Sequence, residues 1–330
     1  MGPVLLERGH EVTGLDAGFY RDGLLFDPGT PAIPTLTKDI RQVTSDDLKG
    51  YDAVIHLAEL SNDPLSQHNP ELTYALNGDG SASLARAAKA AGVRRFIYSS
   101  SCSVYGAGTG EWKNEQSEVV PLTPYAECKL RNEALLATLA DDSFTPTCMR
   151  NATAYGASPR MRFDIVLNQF AGFAWTTGRI VMNSDGSPWR PLVHVRDIAD
   201  AFAAVLEAPA AVVHAQVFNV GSNQENYRVR EIAELTAAAF PGAQTSFGPA
   251  GHDGRSYRVS FDKLPQAIPS FTCRWTAGTG AAELRDVFRD TDMTEDVLTF
   301  RAFTRLAQLK YLLETRQLDD ELYWRTTAAA

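Results

Sequence analysis

The residues in this sequence most able to do chemistry are a tyrosine and a lysine four positions apart, Tyr125 and Lys129. On a helix, that spacing places both side chains on one face. An ammonium group near a phenol favours the phenolate, so the tyrosine could accept or release a proton near neutral pH. A solvated helix pair has the same spacing, so the chemical interpretation depends on what surrounds the two residues.

Hydroxyl groups supply that context, because serines at positions 99, 100, 101 and 103 lie at the end of a predicted strand. In an open sheet of parallel strands, ligands bind beyond the carboxyl ends of the strands. A serine at this edge can hydrogen-bond a substrate oxygen while the tyrosine moves a proton. The alternative is a polar turn whose serines only cap backbone groups.

The elements that must position these residues alternate between short apolar runs and longer amphipathic segments. The apolar runs predict strands buried on both faces; they lie at residues 11–16, 53–58, 95–100 and 146–150. Helical periodicity appears between them, at residues 72–91 and 124–139. This alternation predicts an α/β fold with a doubly wound parallel sheet. After about residue 156 we predict helices at 197–208 and 229–240, a strand at 217–220, and one or two helices within 293–324.

Composition excludes several classes of protein. A net charge of −9 over 330 residues disfavours a nucleic-acid binder, which needs a basic face. No apolar run approaches the roughly 18 residues of a membrane span. The four cysteines show neither C-x-x-C spacing nor a disulfide framework, and the histidines show no metal-site spacing. We therefore expect a reduced, cytoplasmic protein without a metal, which binds a small-molecule substrate and neither nucleic acid nor membrane.

Three segments together resemble the extended short-chain dehydrogenase/reductase family. They are Ser-Ser-Ser-Cys-Ser-Val-Tyr-Gly at 99–106, Thr-Pro-Tyr-Ala-Glu-Cys-Lys at 123–129 and Arg-Pro-Leu-Val-His-Val-Arg-Asp at 190–197. Within that family the chain is most similar, over residues 4–285, to the NAD-dependent epimerase/dehydratase group that works on nucleotide sugars. The resemblance implies a Rossmann-like dinucleotide-binding domain at 1–156 and a substrate lobe mainly at 157–290, with segments returning to the sheet. A helical extension follows at 291–330.

The resemblance also implies the catalytic set. Tyr125 would be the acid/base, and Lys129 would hold the nicotinamide ribose and lower the tyrosine pKa. Ser101 would orient the substrate hydroxyl.

NAD is the cofactor that the resemblance implies. Asp16 ends the first predicted strand, where the family places an acid on the adenosine ribose. A carboxylate there repels a 2′-phosphate and so favours NAD over NADP; the alternative for Asp16 is a turn or cap residue. The other implied cofactor contacts are Asp39 and Ile40 around adenine, Leu57 and Ala58 under the pyrophosphate, and Asn77 in support of the adjacent loop.

Implied substrate contacts lie at Ser103, Thr153, Asn168, Arg190 and Arg258. Guanidinium groups suit substrate phosphates, although a surface ion pair is the alternative for both arginines.

Several residues depart from the family pattern. Cys102 and Ser103 stand where family dehydratases carry an acidic pair, and where decarboxylases place a glutamate, so neither reaction is favoured. Thr153 replaces a common asparagine, and Glu59 replaces a small residue.

The amino-terminal part of the family pattern is also missing. The family opens with a central strand and a G-x-x-G-x-x-G turn that meets the pyrophosphate, whereas this sequence begins within the following helix. Either the natural enzyme is longer, or NAD binding is weak or lost and another segment or a partner repairs the sheet.

Three functional hypotheses follow. The first is an NAD-dependent oxidoreductase or epimerase acting on a carbinol or ketone of a nucleotide sugar or related secondary metabolite. The second is a non-redox enzyme for proton transfer or cyclisation in natural-product biosynthesis, and the third is a non-catalytic partner of a full-length relative. As in the family, we expect a homodimer formed through the helices at 72–91 and 124–139.

Overall fold

The computed structural model describes residues 1–27, 29–61, 66, 69–106, 108, 110–250 and 256–325. Its strands are β1 (Gly14–Asp16), β2 (Thr35–Thr37), β3 (Ala53–His56), β4 (Arg95–Ser101), β5 (Trp112–Lys113), β6 (Thr145–Asn151), β7 (Thr153–Tyr155), β8 (Arg179–Val181), β9 (Trp189–His194), β10 (Gln216–Val220), β11 (Asn226–Arg228), β12 (Gln244–Ser246) and β13 (Arg258–Val259). Its α-helices are Gly2–Glu7, Pro70–Thr73, Ser81–Ala90, Pro124–Leu139, Val166–Thr177, Val195–Glu207, Ala210–Val213, Val229–Ala239, Lys263–Ala267, Ala277–Asp290, Glu295–Thr299 and Arg305–Glu314.

The largest sheet is parallel and has the order β10-β6-β4-β3. Successive residues of β4 face opposite sides of it. Phe96 and Tyr98 join a core cluster with Leu136, whereas Ile97 joins another with Phe202. Both faces are therefore buried under helices, which is why the strands read as continuous apolar runs. The predicted doubly wound α/β fold is confirmed.

The sheet is interrupted between β1 and β3. Strand β1 pairs in parallel with β2, and β3 pairs in parallel with β4. In the part of the chain that the structure describes, no strand joins these two pairs.

The predicted helix at 72–91 has a different internal structure. It runs as an α-helix over Pro70–Thr73, a π-helix over Tyr74–Gly80 and an α-helix over Ser81–Ala90. The wider π turn carries Asn77, whose amide bonds both the backbone N–H and the carbonyl of Leu60 at 2.8 and 3.0 Å. Such turns often mark functional sites, and this one fixes the loop that follows β3.

We call the elements built around a separate three-stranded sheet the second lobe. Strand β9 lies between β7, to which it is parallel, and β11, to which it is antiparallel. Helices Val166–Thr177, Val229–Ala239 and Ala277–Asp290 cover this small sheet with a third apolar cluster. Strand β10 returns from this part of the chain to the main sheet.

The carboxyl-terminal helices fold back onto the first lobe. Gln308 donates to the carbonyl of Phe19 at 3.0 Å, and Trp324 donates to the carbonyl of Ala17 at 2.5 Å. Leu309 and Leu312 share a core cluster with Ile40. Among the described residues, no helix has the length and apolar character needed to cross a bilayer.

Candidate active site

The predicted tyrosine and lysine lie on one face of the helix Pro124–Leu139. The Thr123 hydroxyl caps this helix by accepting from the N–H of Ala126 at 3.3 Å, and a proline occupies its first position. The Lys129 Nζ atom lies 5.2 Å from the ring centroid of Tyr125. The ammonium group is therefore next to the phenol ring, and both residues follow the carboxyl end of β4 in the chain.

Lys129 also reaches the serine cluster, where it donates to the carbonyl of Ser99. The Ser101 hydroxyl accepts from the N–H of Ser103 at 3.1 Å and so caps the short 3₁₀-helix Cys102–Tyr105. The Ser103 hydroxyl is buried and has no hydrogen-bond partner in the structure. A buried hydroxyl without a partner is rare, and a substrate oxygen would satisfy it.

A buried carboxylate, Glu59, lies against the lysine. Its side chain is 2% exposed, and its Oε2 atom is 2.5 Å from Lys129 Nζ. Its Oε1 atom accepts from the Tyr98 hydroxyl at 2.6 Å and from the Ser81 hydroxyl at 3.3 Å. The sequence showed only that Glu59 replaces a small residue; the ion pair depends on a fold contact between distant segments.

Burial and this carboxylate together set the charges of the site. Burial alone lowers the pKa of Lys129, but the attraction of Glu59 outweighs it, so that pKa is raised. Burial, reinforced by Glu59, raises the pKa of Tyr98. Burial lowers the pKa of His56 to about 4, and its neutral ring bonds the Ser81 hydroxyl at 2.7 Å. At neutral pH Lys129 is therefore the cation of this group, while Tyr98 and His56 are uncharged.

Two asparagines connect the lysine network to the π-helix. Asn132 donates to the Tyr98 hydroxyl at 2.9 Å and to the carbonyl of Asn77 at 2.7 Å. Asn77 in turn fixes Leu60, the residue after Glu59. Through these hydrogen bonds Asn77 supports the loop after β3. The role of Asn77 towards a cofactor stays a prediction.

The residues expected to hold the cofactor lie on both sides of the sheet interruption. Asp16 ends β1, with its side chain 47% exposed, and forms an ion pair with Arg160 at 3.0 Å. Leu57 is exposed and Ala58 half-buried just after β3. Carboxyl ends of parallel strands are where ligands bind in such sheets, so this placement suits a dinucleotide.

Asp39 and Ile40 both make contacts within the chain, and their role around adenine stays a prediction. The Asp39 carboxylate is bonded by Arg41, through Nε at 3.0 Å and Nη2 at 2.7 Å. Ile40 is 4% exposed and packs under the carboxyl-terminal helix. The sequence could not reveal this, because the covering segment comes from the other end of the chain.

Asn168 is buried and hydrogen-bonded within the chain, and its contact with a substrate stays a prediction. It is 1% exposed, its amide oxygen accepts from the N–H of Gly156 at 3.0 Å, and its amide nitrogen donates to the carbonyl of Arg162 at 3.1 Å. The side chain therefore holds the loop after β7.

The remaining substrate candidates lie in the second lobe. Thr153 is half-buried in β7, opposite Leu192 of β9. The guanidinium of Arg258 lies 5.0 Å from the ring centroids of Trp112 and Trp189. Arg190 donates to the carbonyl of Trp189 at 2.8 Å.

A second buried ion pair, which sequence reasoning missed, lies beneath the serines. Arg150 Nη2 is 2.6 Å from Glu133 Oε2, and both side chains are 6% exposed. The Ser100 hydroxyl donates to Glu133 at 2.5 Å, and Arg150 donates to the Tyr105 hydroxyl at 3.1 Å. The pair thus fixes the serine strand on the helix of Tyr125. The sequence did offer one signal for this ion pair, because Arg150 is a charged residue inside an apolar strand.

Comparison with known proteins gives consistent matches. A model described as the NAD dependent epimerase/dehydratase family matches residues 3–221. A UDP-N-acetyl-alpha-D-glucosaminuronate decarboxylase of Bacillus cytotoxicus is 25% identical over 282 residues, which cover 81% of this chain and 84% of the relative. A UDP-glucose 4-epimerase of Mycolicibacterium smegmatis is 30% identical over 247 residues, which cover 71% of this chain and 76% of the relative. The solved structure of MoeE5 in complex with UDP-glucuronic acid and NAD aligns with a TM-score of 0.74 at 25% identity, covering 87% of this chain and 93% of that chain.

Proposed function

Because this chain belongs to the NAD-dependent epimerase/dehydratase family, we propose that it uses NAD to oxidise a carbinol of a nucleotide sugar and then returns the hydride. Net epimerisation results when the hydride returns to the opposite face of the ketone. Tyr125, Lys129 and Ser101 are the residues that we assign to this chemistry. Some of the curated relatives are named for reactions of UDP-sugars and others for dehydration of dTDP-D-glucose, which supports a nucleotide sugar as the substrate class.

The observation that carries this proposal is the placement of Lys129. Its ammonium group lies 5.2 Å from the Tyr125 ring centroid and also donates to Ser99 in the serine cluster. A buried cation at that point favours the phenolate of Tyr125, which then accepts the carbinol proton. Ser101 lies at the end of the same strand, which supports its assignment to the substrate oxygen.

The cofactor side of the site fits a dinucleotide. When bound, NAD supplies the hydride acceptor. Asp16 is half-exposed at the end of β1 and has carboxylate oxygens that can accept from ribose hydroxyls. Lys129, already paired with Glu59, would bond the nicotinamide ribose.

Dehydration is less well supported than epimerisation, because the position of the missing acid is occupied by a buried thiol. Cys102 is 1% exposed and donates to the carbonyl of Arg150 at 3.2 Å. Burial raises its pKa, so it stays protonated and cannot replace the acidic pair of the dehydratases.

The direct test of the proposed function is product analysis with NAD and a panel of UDP- and dTDP-hexoses and hexuronates. We expect one of them to give its epimer or the corresponding ketone, as resolved by NMR. A 4-keto-6-deoxy product or release of carbon dioxide would contradict the assignment, and so would the absence of turnover with every sugar.

We predict that Glu59→Gln moves the pH–activity profile to lower pH by about one unit. The negative charge of Glu59 opposes the phenolate of Tyr125, so its removal lets the phenolate form at lower pH and moves the acid limb down. Glu59 also raises the pKa of Lys129, so the basic limb, where the ammonium is lost, moves down as well. The measurement is kcat/KM against pH.

Glu127→Gln is the matched control for this variant. Glu127 lies on the same helix as Lys129 but accepts from the Tyr74 hydroxyl at 2.5 Å, away from the lysine. We expect its profile to coincide with that of the wild type. A Glu59→Gln profile that also coincides, or that moves to higher pH, would contradict the electrostatic role of Glu59.

The Glu59–Lys129 pair also favours a second candidate function. A lysine neutralised by a buried carboxylate stabilises a phenolate less than a lone ammonium does. The same cleft could then catalyse proton transfer without redox chemistry, with Tyr125 as acid or base. Turnover that depends on Tyr125 and is unchanged by removal of NAD would distinguish this candidate.

We further propose that the protein is a cytoplasmic homodimer. Helices Ser81–Ala90 and Pro124–Leu139 lie side by side, with a surface cavity of about 410 Å³ between them that Arg86 and Arg131 help to line. A second copy of this helix pair would cover it. The four cysteines are free thiols, which supports a reducing compartment.

A further inference from the structure

A short segment of the second lobe crosses to the first lobe at the sheet interruption. We call residues 157–165 the crossing segment. The carbonyl of Pro159, in this segment, accepts from the N–H of Leu25 at 2.8 Å. Arg160 pairs with Asp16 at the end of β1. Arg162 donates to the carbonyl and the hydroxyl of Ser61, in the loop after β3, at 3.3 and 3.2 Å. The segment therefore places two arginines beyond the carboxyl ends of the strands that flank the interruption.

A third arginine reaches the same place from the carboxyl-terminal part of the chain. Arg305 opens the helix Arg305–Glu314, and its backbone N–H donates to Asp164 of the crossing segment at 3.1 Å. Its guanidinium carbon lies 3.9 Å from the ring centroid of Tyr20. Within the described residues, no carboxylate forms an ion pair with this guanidinium.

Among the described residues, two carboxylates form ion pairs with the three arginines. Asp16 pairs with Arg160, and Asp164 pairs with Arg162 at 2.8 Å. The Nη2 atom of Arg162 is buried and has no hydrogen-bond partner in the structure. Burial, and next the repulsion of Arg162, lower the pKa of Arg305 to about 10. An oxyanion would bring a partner for that nitrogen and a counterion for Arg305.

We propose that Arg160, Arg162 and Arg305 form a binding site for a diphosphate, that of the NAD cofactor. Guanidinium groups bind phosphate oxygens in paired, charge-assisted hydrogen bonds. Asp16, which contacts the cluster, is the residue suited to ribose hydroxyls, so a ribose and a diphosphate would lie side by side, as they do in a dinucleotide. The assignment to NAD rests on the proposed function, whereas the affinity for a diphosphate does not.

The test is calorimetric titration of wild-type protein, Arg162→Met and Arg305→Met with NAD, ADP, inorganic pyrophosphate and UDP. We expect each substitution to weaken NAD and ADP binding by about tenfold and to leave UDP binding unchanged. Added salt should weaken ADP binding more in the wild type than in either variant. Thermal unfolding verifies that the variants are folded. Arg305→Lys keeps the positive charge but loses the paired N–H donors of the guanidinium, so its affinity for NAD and ADP should lie between those of the wild type and Arg305→Met.

Arg301→Met is the matched control, because Arg301 also stacks on a tyrosine, 3.7 Å from the ring centroid of Tyr311, and pairs with Asp22 at 2.9 Å. Its NAD affinity should equal that of the wild type. Equal NAD binding by the wild type and both variants would overturn the arginine site and leave the proposed function standing. Arginine-dependent ADP binding without NAD binding would support the diphosphate site and overturn the redox proposal. Weakened UDP binding with unchanged NAD and ADP binding would overturn the assignment to the cofactor.

Discussion

Replacement of Tyr125 by phenylalanine is expected to lower kcat/KM by about 10²–10⁴-fold, the usual contribution of a positioned acid or base. The substitution removes the hydroxyl that would carry the carbinol proton and keeps the ring beside Lys129. NAD binding and thermal stability should therefore change little. The measurement is steady-state turnover with the nucleotide sugar identified by product analysis.

Tyr74→Phe is the control for this prediction. It makes the same chemical change on a neighbouring helical segment, where the Tyr74 hydroxyl bonds Glu127 instead of facing the serine cluster. We expect activity within a factor of two or so of the wild type, as for most surface changes. Wild-type turnover by a folded, NAD-binding Tyr125→Phe protein would show that another group moves the proton.

Removal of Arg150 is expected to produce the largest loss of stability, about 3–5 kcal/mol for Arg150→Met. The partner Glu133 is 6% exposed, so the substitution leaves a carboxylate without its counterion in the protein interior. Tyr105 also loses a donor. The free energy of unfolding from urea denaturation measures this effect.

The double variant Arg150→Met, Glu133→Leu separates the ion pair from the rest of the core. Because no uncompensated charge remains, it should recover much of the loss, and the two substitutions should be strongly non-additive. Arg94→Met is the surface comparison, since Arg94 and Asp52 are 77% and 89% exposed; we expect less than about 1 kcal/mol there. A loss equally small for Arg150→Met would show that the buried pair does not stabilise the fold.

Local signals in the sequence predicted the elements that carry the tyrosine and serines. The helix Pro124–Leu139 was predicted at its observed bounds from its apolar periodicity, and in the structure the Thr123 cap and the proline after it mark its start. Strand β4 was predicted to within one residue, because both of its faces are buried. Spacing alone placed Lys129 next to Tyr125, and the structure confirms that they are neighbours.

The parts that could not be predicted depend on contacts between distant segments. The π-helix at Asn77 is held by Leu60, and neither residue's local pattern indicates the other. Glu59, in the loop after β3, meets Lys129 of the helix Pro124–Leu139 only in the folded chain. The cluster of Arg160, Arg162 and Arg305 joins the crossing segment to the carboxyl-terminal helix, which periodicity cannot bring together.

The proposed mechanism requires hydride to leave the substrate while Tyr125 takes its proton. The most direct measurement is rapid mixing of the NAD-loaded protein with its nucleotide sugar, followed through the near-ultraviolet absorbance of reduced nicotinamide. We predict a transient rise of this absorbance in the wild type and none in Tyr125→Phe. Conversion of the sugar by NAD-loaded wild-type protein with no reduced nicotinamide at any time would contradict the account.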